Sequence, residues 1–396
     1  MSNGRKCVKA LIVSSVYGFL TKFERQNVEL LKSMGIEIHY ASNHTNVVYE
    51  DCEDIIDEYG IIYHDIPIKQ QPLEISDNLK AIIQVREIIK REKINMIHCH
   101  TPTGGMVARF ACLGIKGVYI IYTAHGFHFY NGGSRLRNKV FYLAEDFMSR
   151  NTNAIVTINH EDESAAKSMH ADEVYRIPGE GIDSKFFELT DEEERKKERA
   201  KLGITEDDFF VITIGEIRPN KNQKRVIETL DYIVKKHNPN APNIIYGVIG
   251  HGRQEEKLKE YVKEHGIENN VRFFGYELEI RTFLKAADAM VFPSIREGLG
   301  MAALEALFTG LPVIASSNRG SKEYIKNKKN GILVTEDSVV AYAEAIKDLY
   351  YGKKDKSIYE RDMIRKSVMN FEKAESKKIM RKVYEDAIDK CTVSGL

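Results

Sequence analysis

The chain has 396 residues, 43% of them hydrophobic and 29% charged, and its 58 basic and 58 acidic side chains cancel. That length exceeds one ordinary hydrophobic core and calls for two domains. The balanced charge argues against a dedicated nucleic-acid binder, and no apolar run approaches the ~20 residues of a membrane-spanning helix.

The N-terminal stretch MSNGRKCVKALIVSS runs from a short basic segment straight into a strand-like one. It lacks the apolar run and small-residue cleavage site of a secretory signal, so a cytoplasmic chain is expected. Five cysteines, Cys7, Cys52, Cys99, Cys112 and Cys391, stand scattered without a CxxC pair, which fits free thiols in a reducing compartment.

Short β-rich runs then alternate with helical periodicity, the pattern of a parallel sheet covered on both faces. In the first half, strands are expected at residues 9–14, 37–41, 95–99, 119–123 and 154–157, with helical periodicity over 23–34 and 78–91. The rhythm breaks near Pro178, and the charged segment 191–201 that follows reads as a solvated helix face. Strands resume at 210–214, 244–249, 271–273, 289–292 and 313–315. The expected fold class is α/β, with two doubly wound Rossmann-like domains facing across a cleft. The domains span 1–184 and 185–375, and a terminal helix over 376–396 packs back towards the first.

In open α/β sheets ligands collect beyond the carboxyl ends of the strands. The strongest signal lies beyond the strand at 289–292, in Pro293-Ser294-Ile295-Arg296-Glu297-Gly298-Leu299-Gly300-Met301-Ala302-Ala303-Leu304-Glu305-Ala306. Gly298 and Gly300 remove side chains where backbone N–H groups would meet a ligand. A helix starting near Gly300 presents unpaired donors and a partial positive charge, suited to a diphosphate. Glu297 stands before that helix and Glu305 more than one turn into it, so the carboxylates flank the anion site, one suited to sugar hydroxyls and the other to those of a ribose. The alternative is a first-turn glutamate and an ordinary helix glutamate.

With its Glu, seven residues, Glu spacing inside PSIREGLGMAALEALFTGLPVIAS, the chain resembles the retaining nucleotide-sugar transferases of glycosyltransferase family 4, which have the GT-B fold. The resemblance implies that Glu297 faces the donor sugar, that Glu305 holds the ribose, and that Gly298, Leu299 and Gly300 meet the diphosphate. It implies a phosphate-neutralising role for Lys221 in Gly215-Glu216-Ile217-Arg218-Pro219-Asn220-Lys221-Asn222. The family's usual arginine is replaced by Glu216, with Arg218 or Lys224 as its substitute. Gly250 and Gly252 resemble the family's Gly-x-Gly turn, and Phe274-Gly275-Tyr276 its base-contacting loop, where backbone groups read the base.

In the first domain the resemblance implies that His125, in Tyr122-Thr123-Ala124-His125-Gly126-Phe127-His128, contacts the donor sugar and steadies positive charge at the anomeric carbon. It places Gly18 near the diphosphate, and His100 and His128 towards the acceptor. His98-Cys99-His100 invites a metal reading. In a strand, however, the two histidines share one face and Cys99 the other, and no further ligand cluster lies nearby in sequence. No Asp-x-Asp motif occurs either, so neither metal nor cofactor is expected.

Residues 135–150, RLRNKVFYLAEDFMSR, read either as a core-facing helix or as a membrane-surface contact for a lipid-linked acceptor. The partners implied are a nucleotide-sugar, a UDP-sugar above others, and a glycan or lipid-linked glycan of surface polysaccharide synthesis, with the protein peripheral on the inner face of the cell membrane. The rivals are a sugar-nucleotide epimerase of the same fold, a non-catalytic nucleotide-sugar sensor, and a glycogen-synthase-like polymerase.

Overall fold

Among the described residues, every paired strand runs parallel to its neighbours. The computed structural model describes residues 8–46, 51–71, 73–236, 243–354 and 359–393, so Cys7 and the basic start of the chain lie outside them. The chain divides into two units, Met1–Gly181 with Lys373–Leu396, and Ile182–Glu372. Those crossings fall a few residues ahead of the positions 184 and 375 read from the sequence.

The first unit holds β1 (Lys9–Val13), β2 (Glu37–Ser42), β3 (Ile62–Asp65), β4 (Met96–His100), β5 (Tyr119–Ala124), β6 (Ala154–Thr157) and β7 (Glu173–Arg176), in the order β3-β2-β1-β4-β5-β6-β7. Its inner strands are buried on both faces, which is why runs such as Ala10-Leu11-Ile12-Val13 are continuously apolar. Side-chain alternation then sorts each strand. Ile97 and Cys99 of β4 join a core with Val85, Ile88 and Ile89 of the helix Ile75–Glu92 and Val107 and Ala111 of the helix Pro102–Ala111. His98 points the other way, to the hydroxyl of Tyr384 at 2.9 Å on the helix Lys373–Val393. That helix is part of the first unit and is tied to it again by Tyr175 donating to Asp386 (2.7 Å) and Ser376 to the carbonyl of Gly179 (2.7 Å).

The second unit holds β8 (Asp208–Ile214), β9 (Asn243–Ile249), β10 (Val271–Gly275), β11 (Ala289–Phe292), β12 (Val313–Ser316) and β13 (Gly331–Val334), in the order β10-β9-β8-β11-β12-β13. The strand order reverses between β1 and β4 in one sheet and between β8 and β11 in the other. Such reversals splay the connections apart and open a crevice beyond the strand ends.

One expectation is refined and one corrected. The helix Glu192–Lys201 keeps the expected solvated face, but its opposite face is buried. Arg195 and Arg199 are 8% and 1% exposed and grip the buried Asp288 at 2.6 and 3.1 Å, while Arg199 also donates to the carbonyls of Ala286 and Asp208. The helix Arg135–Ser149 does not face the core: only Ser149 is buried, and Leu136, Val140, Leu143 and Phe147 are all more than half exposed. The four described cysteines other than Cys7 are buried free thiols. No helix among the described residues is long and apolar enough to cross a membrane.

Candidate functional site

In the second unit the loops expected from the sequence to bind a ligand follow the two strands at the reversal. β8 and β11 pair directly, so their carboxyl ends lie side by side. The loop after β8 and the loop after β11 are stitched by Ile295 donating its N–H to the carbonyl of Asn220 (2.8 Å) and the Asn220 amide donating to the carbonyl of Arg296 (2.9 Å). Lys221 then places Nζ 2.7 Å from Oε1 of Glu297, both side chains being less than a fifth exposed. A lysine and a carboxylate so close in a partly dry site hold each other in place and offer donors and acceptors to one ligand.

The glutamate is braced from behind. Arg319, in the turn after β12, donates Nε to the carbonyl of Glu297 (3.3 Å). Gly300 has φ +93°, and a Cβ there would stand 2.8 Å from the Phe292 ring, so glycine is required at the turn into the helix Met301–Phe308. Gly298 sits in the turn, Leu299 is buried, and Glu305 is half-buried in the helix. Leu299 also sets a limit on the neighbouring turn, since a Cβ on Gly320 would come 2.5 Å from its carbonyl oxygen. Arg319 and Gly320 went unremarked in the sequence because nothing in their spacing links them to Glu297.

The Gly250 and Gly252 turn is explained by packing. A Cβ on Gly250 would lie 2.2 Å from the carbonyl oxygen of Gly215, and one on Gly252 2.2 Å from that of Ile217. The two loops interlock through Gly215 donating to the Ile249 carbonyl (2.9 Å) and Ile217 to that of His251 (2.8 Å). These glycines therefore set the position of the lysine-bearing loop. Of the two candidate substitutes for the missing arginine, Arg218 pairs with Glu216 at 3.3 Å, and Lys224 turns down its helix to Glu228 at 3.3 Å. Tyr276 is 65% exposed beyond β10.

In the first unit four strand ends converge on His125. Its Nδ1 lies 3.2 Å from Oε1 of Glu180, in the turn after β7, and its Nε2 lies 3.3 Å from Nδ1 of His100, at the end of β4. The rings of Phe19 and Phe23 pack on it at 5.4 and 6.2 Å between centroids. Glu24 ends the π-turn Leu20–Glu24 and reaches Nδ1 of His100 at 3.5 Å. A cavity of about 20 Å³, room for one water, is lined by Glu24, Asn27, Thr123, His125, Glu180 and others. Burial pushes the Glu24 carboxyl up to about 8, against the lowering hydrogen bond from Asn27. Burial also acts to raise Glu180, but the hydrogen bond and charge of His125 outweigh it and hold Glu180 below the usual carboxylate range. Burial keeps His98 and His100 neutral, with His98 pushed down to about 3.

Three expectations change here. His100 is fully buried and stands behind His125, so it offers no atom to an acceptor. Gly18 is also buried, which leaves it no exposed surface for a phosphate. A third ligand-type group does lie near the histidine pair, since Glu24 comes within 4.8 Å of His98 and His100. Both His98 nitrogens are nevertheless engaged, by Tyr384 (2.9 Å) and Thr123 (2.7 Å), which suits packing better than metal ligation. His128 is half-buried, its ring 5.1 Å from that of Phe141.

Comparison with known proteins bears on the family and the fold. The family description "Glycosyl transferases group 1" matches residues 194–366, and "Glycosyl transferase 4-like" matches residues 10–159. The putative glycosyltransferase EpsD of Bacillus subtilis is 32% identical over 348 residues, covering 87% of both chains. An Escherichia coli UDP-Gal:alpha-D-GlcNAc-diphosphoundecaprenol alpha-1,3-galactosyltransferase is 25% identical over 81% of this chain and 82% of its own. Among solved structures, Anabaena HepE in complex with UDP and glucose superposes with a TM-score of 0.75 at 16% identity, over 96% of this chain and all of that one. Sucrose-phosphate synthase from Thermosynechococcus elongatus gives 0.78 at 19% identity, over 97% of this chain and 100% of its own.

Proposed function

The chain belongs to the group 1 glycosyltransferases, with the GT-B fold, and from that footing we propose that it moves a hexose from a UDP-sugar to a hydroxyl of a lipid-linked glycan, retaining the anomeric configuration, in surface polysaccharide synthesis. The observation that carries this reading is the meeting of Lys221 and Glu297 at 2.7 Å where the sheet order reverses.

The donor diphosphate sits against the backbone of Gly298, Leu299 and Gly300 and draws the ammonium of Lys221. Charge that grows on the leaving diphosphate is stabilised there without metal. Glu297 accepts hydrogen bonds from sugar hydroxyls, and Glu305 from those of the ribose. His125 serves the anomeric carbon, and the donor's own phosphate oxygen takes the acceptor proton. His128 lines the acceptor side. The helix Arg135–Ser149 lies on an anionic membrane surface, with Leu136, Val140, Leu143 and Phe147 inserted and the exposed Arg135, Arg137 and Lys139 at headgroup level.

UDP- and GDP-sugars supplied with membrane lipid extract test this directly by sugar incorporation. Transfer from a UDP-hexose in the presence of a chelator, with the product in the donor's anomeric configuration, is the expected result. Glu297→Ala should lower turnover by on the order of a hundredfold. An epimer formed from donor alone, or donor binding without any turnover, would overturn the reading.

A further inference from the structure

His125 was singled out by its motif, but the structure surrounds it with groups that no motif joins. Glu180 lies 55 positions along the chain, in a turn held between Gly179 (φ +70°) and Gly181 (φ +79°). The peptide of Gly179 is pinned by the buried hydroxyl of Ser376, 2.7 Å from its carbonyl. The turn therefore has little freedom, and its one long side chain ends on Nδ1 of His125 at 3.2 Å. On the far side of the imidazole, His100 meets Nε2 at 3.3 Å, and Glu24 stands at 3.5 Å from His100. Both ring nitrogens of His125 are thus spoken for within this unit.

We propose that Glu180 is a positioning residue for His125, its carboxylate accepting the Nδ1 proton so that the ring is fixed in one tautomer and backed by a negative charge. The proton count is consistent. With Nδ1 carrying the hydrogen, Nε2 is an acceptor, and the neutral His100 supplies its own Nδ1–H to it. The two carboxyls at the ends of the chain are shifted in opposite directions, Glu180 down through its hydrogen bond with His125 and Glu24 up through burial. Such divergent environments for two nearby carboxyls mark a division of roles.

The consequence for catalysis rests on the transfer reading above. As the bond to the diphosphate breaks, positive charge grows at the anomeric carbon. An imidazole with a carboxylate behind it lies better against that charge than an imidazole alone, and the benefit is realised only in the transition state. Loss of Glu180 should therefore lower kcat and leave donor binding alone.

Two measurements on the full-length protein decide the matter. Histidine-selective nitrogen–proton correlation spectra need no substrate: the wild type should show His125 as the Nδ1–H tautomer with a strongly deshielded Nδ1 proton, and Glu180→Ala should lose that deshielding while His100 still faces Nε2. An Nε2–H tautomer in the wild type, or an unchanged spectrum in Glu180→Ala, would overturn the proposal. In steady-state turnover of a UDP-hexose, Glu180→Ala should lose about a hundredfold in kcat and Glu180→Gln, which keeps the shape and an acceptor oxygen, about tenfold. KM for the donor should move by less than about threefold in both. Equal losses in kcat and KM would indicate a merely structural role and sink the idea. If no UDP-hexose is turned over by the wild type, the transfer reading has failed, and the spectra still decide whether Glu180 sets the ring.

Discussion

Lys221 and Glu297 are separated by 76 positions in sequence and by 2.7 Å in space. The pairing of β8 with β11 creates this proximity, since it aligns the ends of two strands whose loops are also joined through Asn220. The proposed donor site is accordingly a product of sheet order, and the residues that shape its loops matter as much as those assigned to touch substrate.

Gly252 is the first case. An added methyl would sit 2.2 Å from the carbonyl of Ile217, a backbone atom that cannot swing away. Gly252→Ala should cost about 2–3 kcal/mol of stability and weaken UDP binding by shifting the loop that bears Lys221. Thermal unfolding and calorimetry on the same sample check both, and a variant of wild-type stability would contradict the packing role.

Asp288 is the second. It is 6% exposed and neutralises both Arg195 and Arg199, so Asp288→Ala leaves the buried Arg199 without its counter-ion and Arg195 with only the exposed Glu206 at 3.9 Å. A loss of about 3–5 kcal/mol is expected, read as a fall in the denaturant midpoint of the second unit. A loss below about 1 kcal/mol would show that the pair is not needed.

Glu24 gives a pH dependence. Its folded pKa, about 8, lies above the ordinary value of 4.5, so the folded state holds a proton that the unfolded state releases. Its contribution is fully present below about pH 4.5 and is lost as pH rises towards 8. Glu24→Gln, which is neutral throughout, should gain on the wild type as pH rises across that interval, in paired thermal melts at pH 5 and pH 8. Parallel curves would contradict the assignment.

The helix Arg135–Ser149 yields a prediction about surfaces. Leu143→Glu together with Phe147→Glu puts two charges on its exposed apolar stripe. Co-flotation with vesicles containing phosphatidylglycerol should fall by about tenfold or more, with UDP binding unchanged. Undiminished flotation would remove this helix from the membrane contact.

The sequence carried the inner strands well, because strands buried on both faces are continuous apolar runs. It did not carry β3, β7 or β13, three of the four sheet edges, though the edge strand β10 was legible. Ile62-Tyr63-His64-Asp65 and Glu173-Val174-Tyr175-Arg176 are half wet and mix polar with apolar residues, so their alternation is too short to read. The loop of Glu297 was legible from local spacing. The Glu180–His125–His100–Glu24 chain was not, since it forms only when four strand ends are brought together. Arg195 and Arg199 left a faint trace, two arginines one turn apart in a helix otherwise rich in acidic residues and lysines.

Titration of the full-length protein with UDP tests the central claim most directly. The account predicts saturable binding by the wild type and a loss of about tenfold to a hundredfold in affinity for Lys221→Met, the size of one charged hydrogen bond. Equal affinity in the two proteins, or no binding by either, would contradict a diphosphate site built from the ends of β8 and β11.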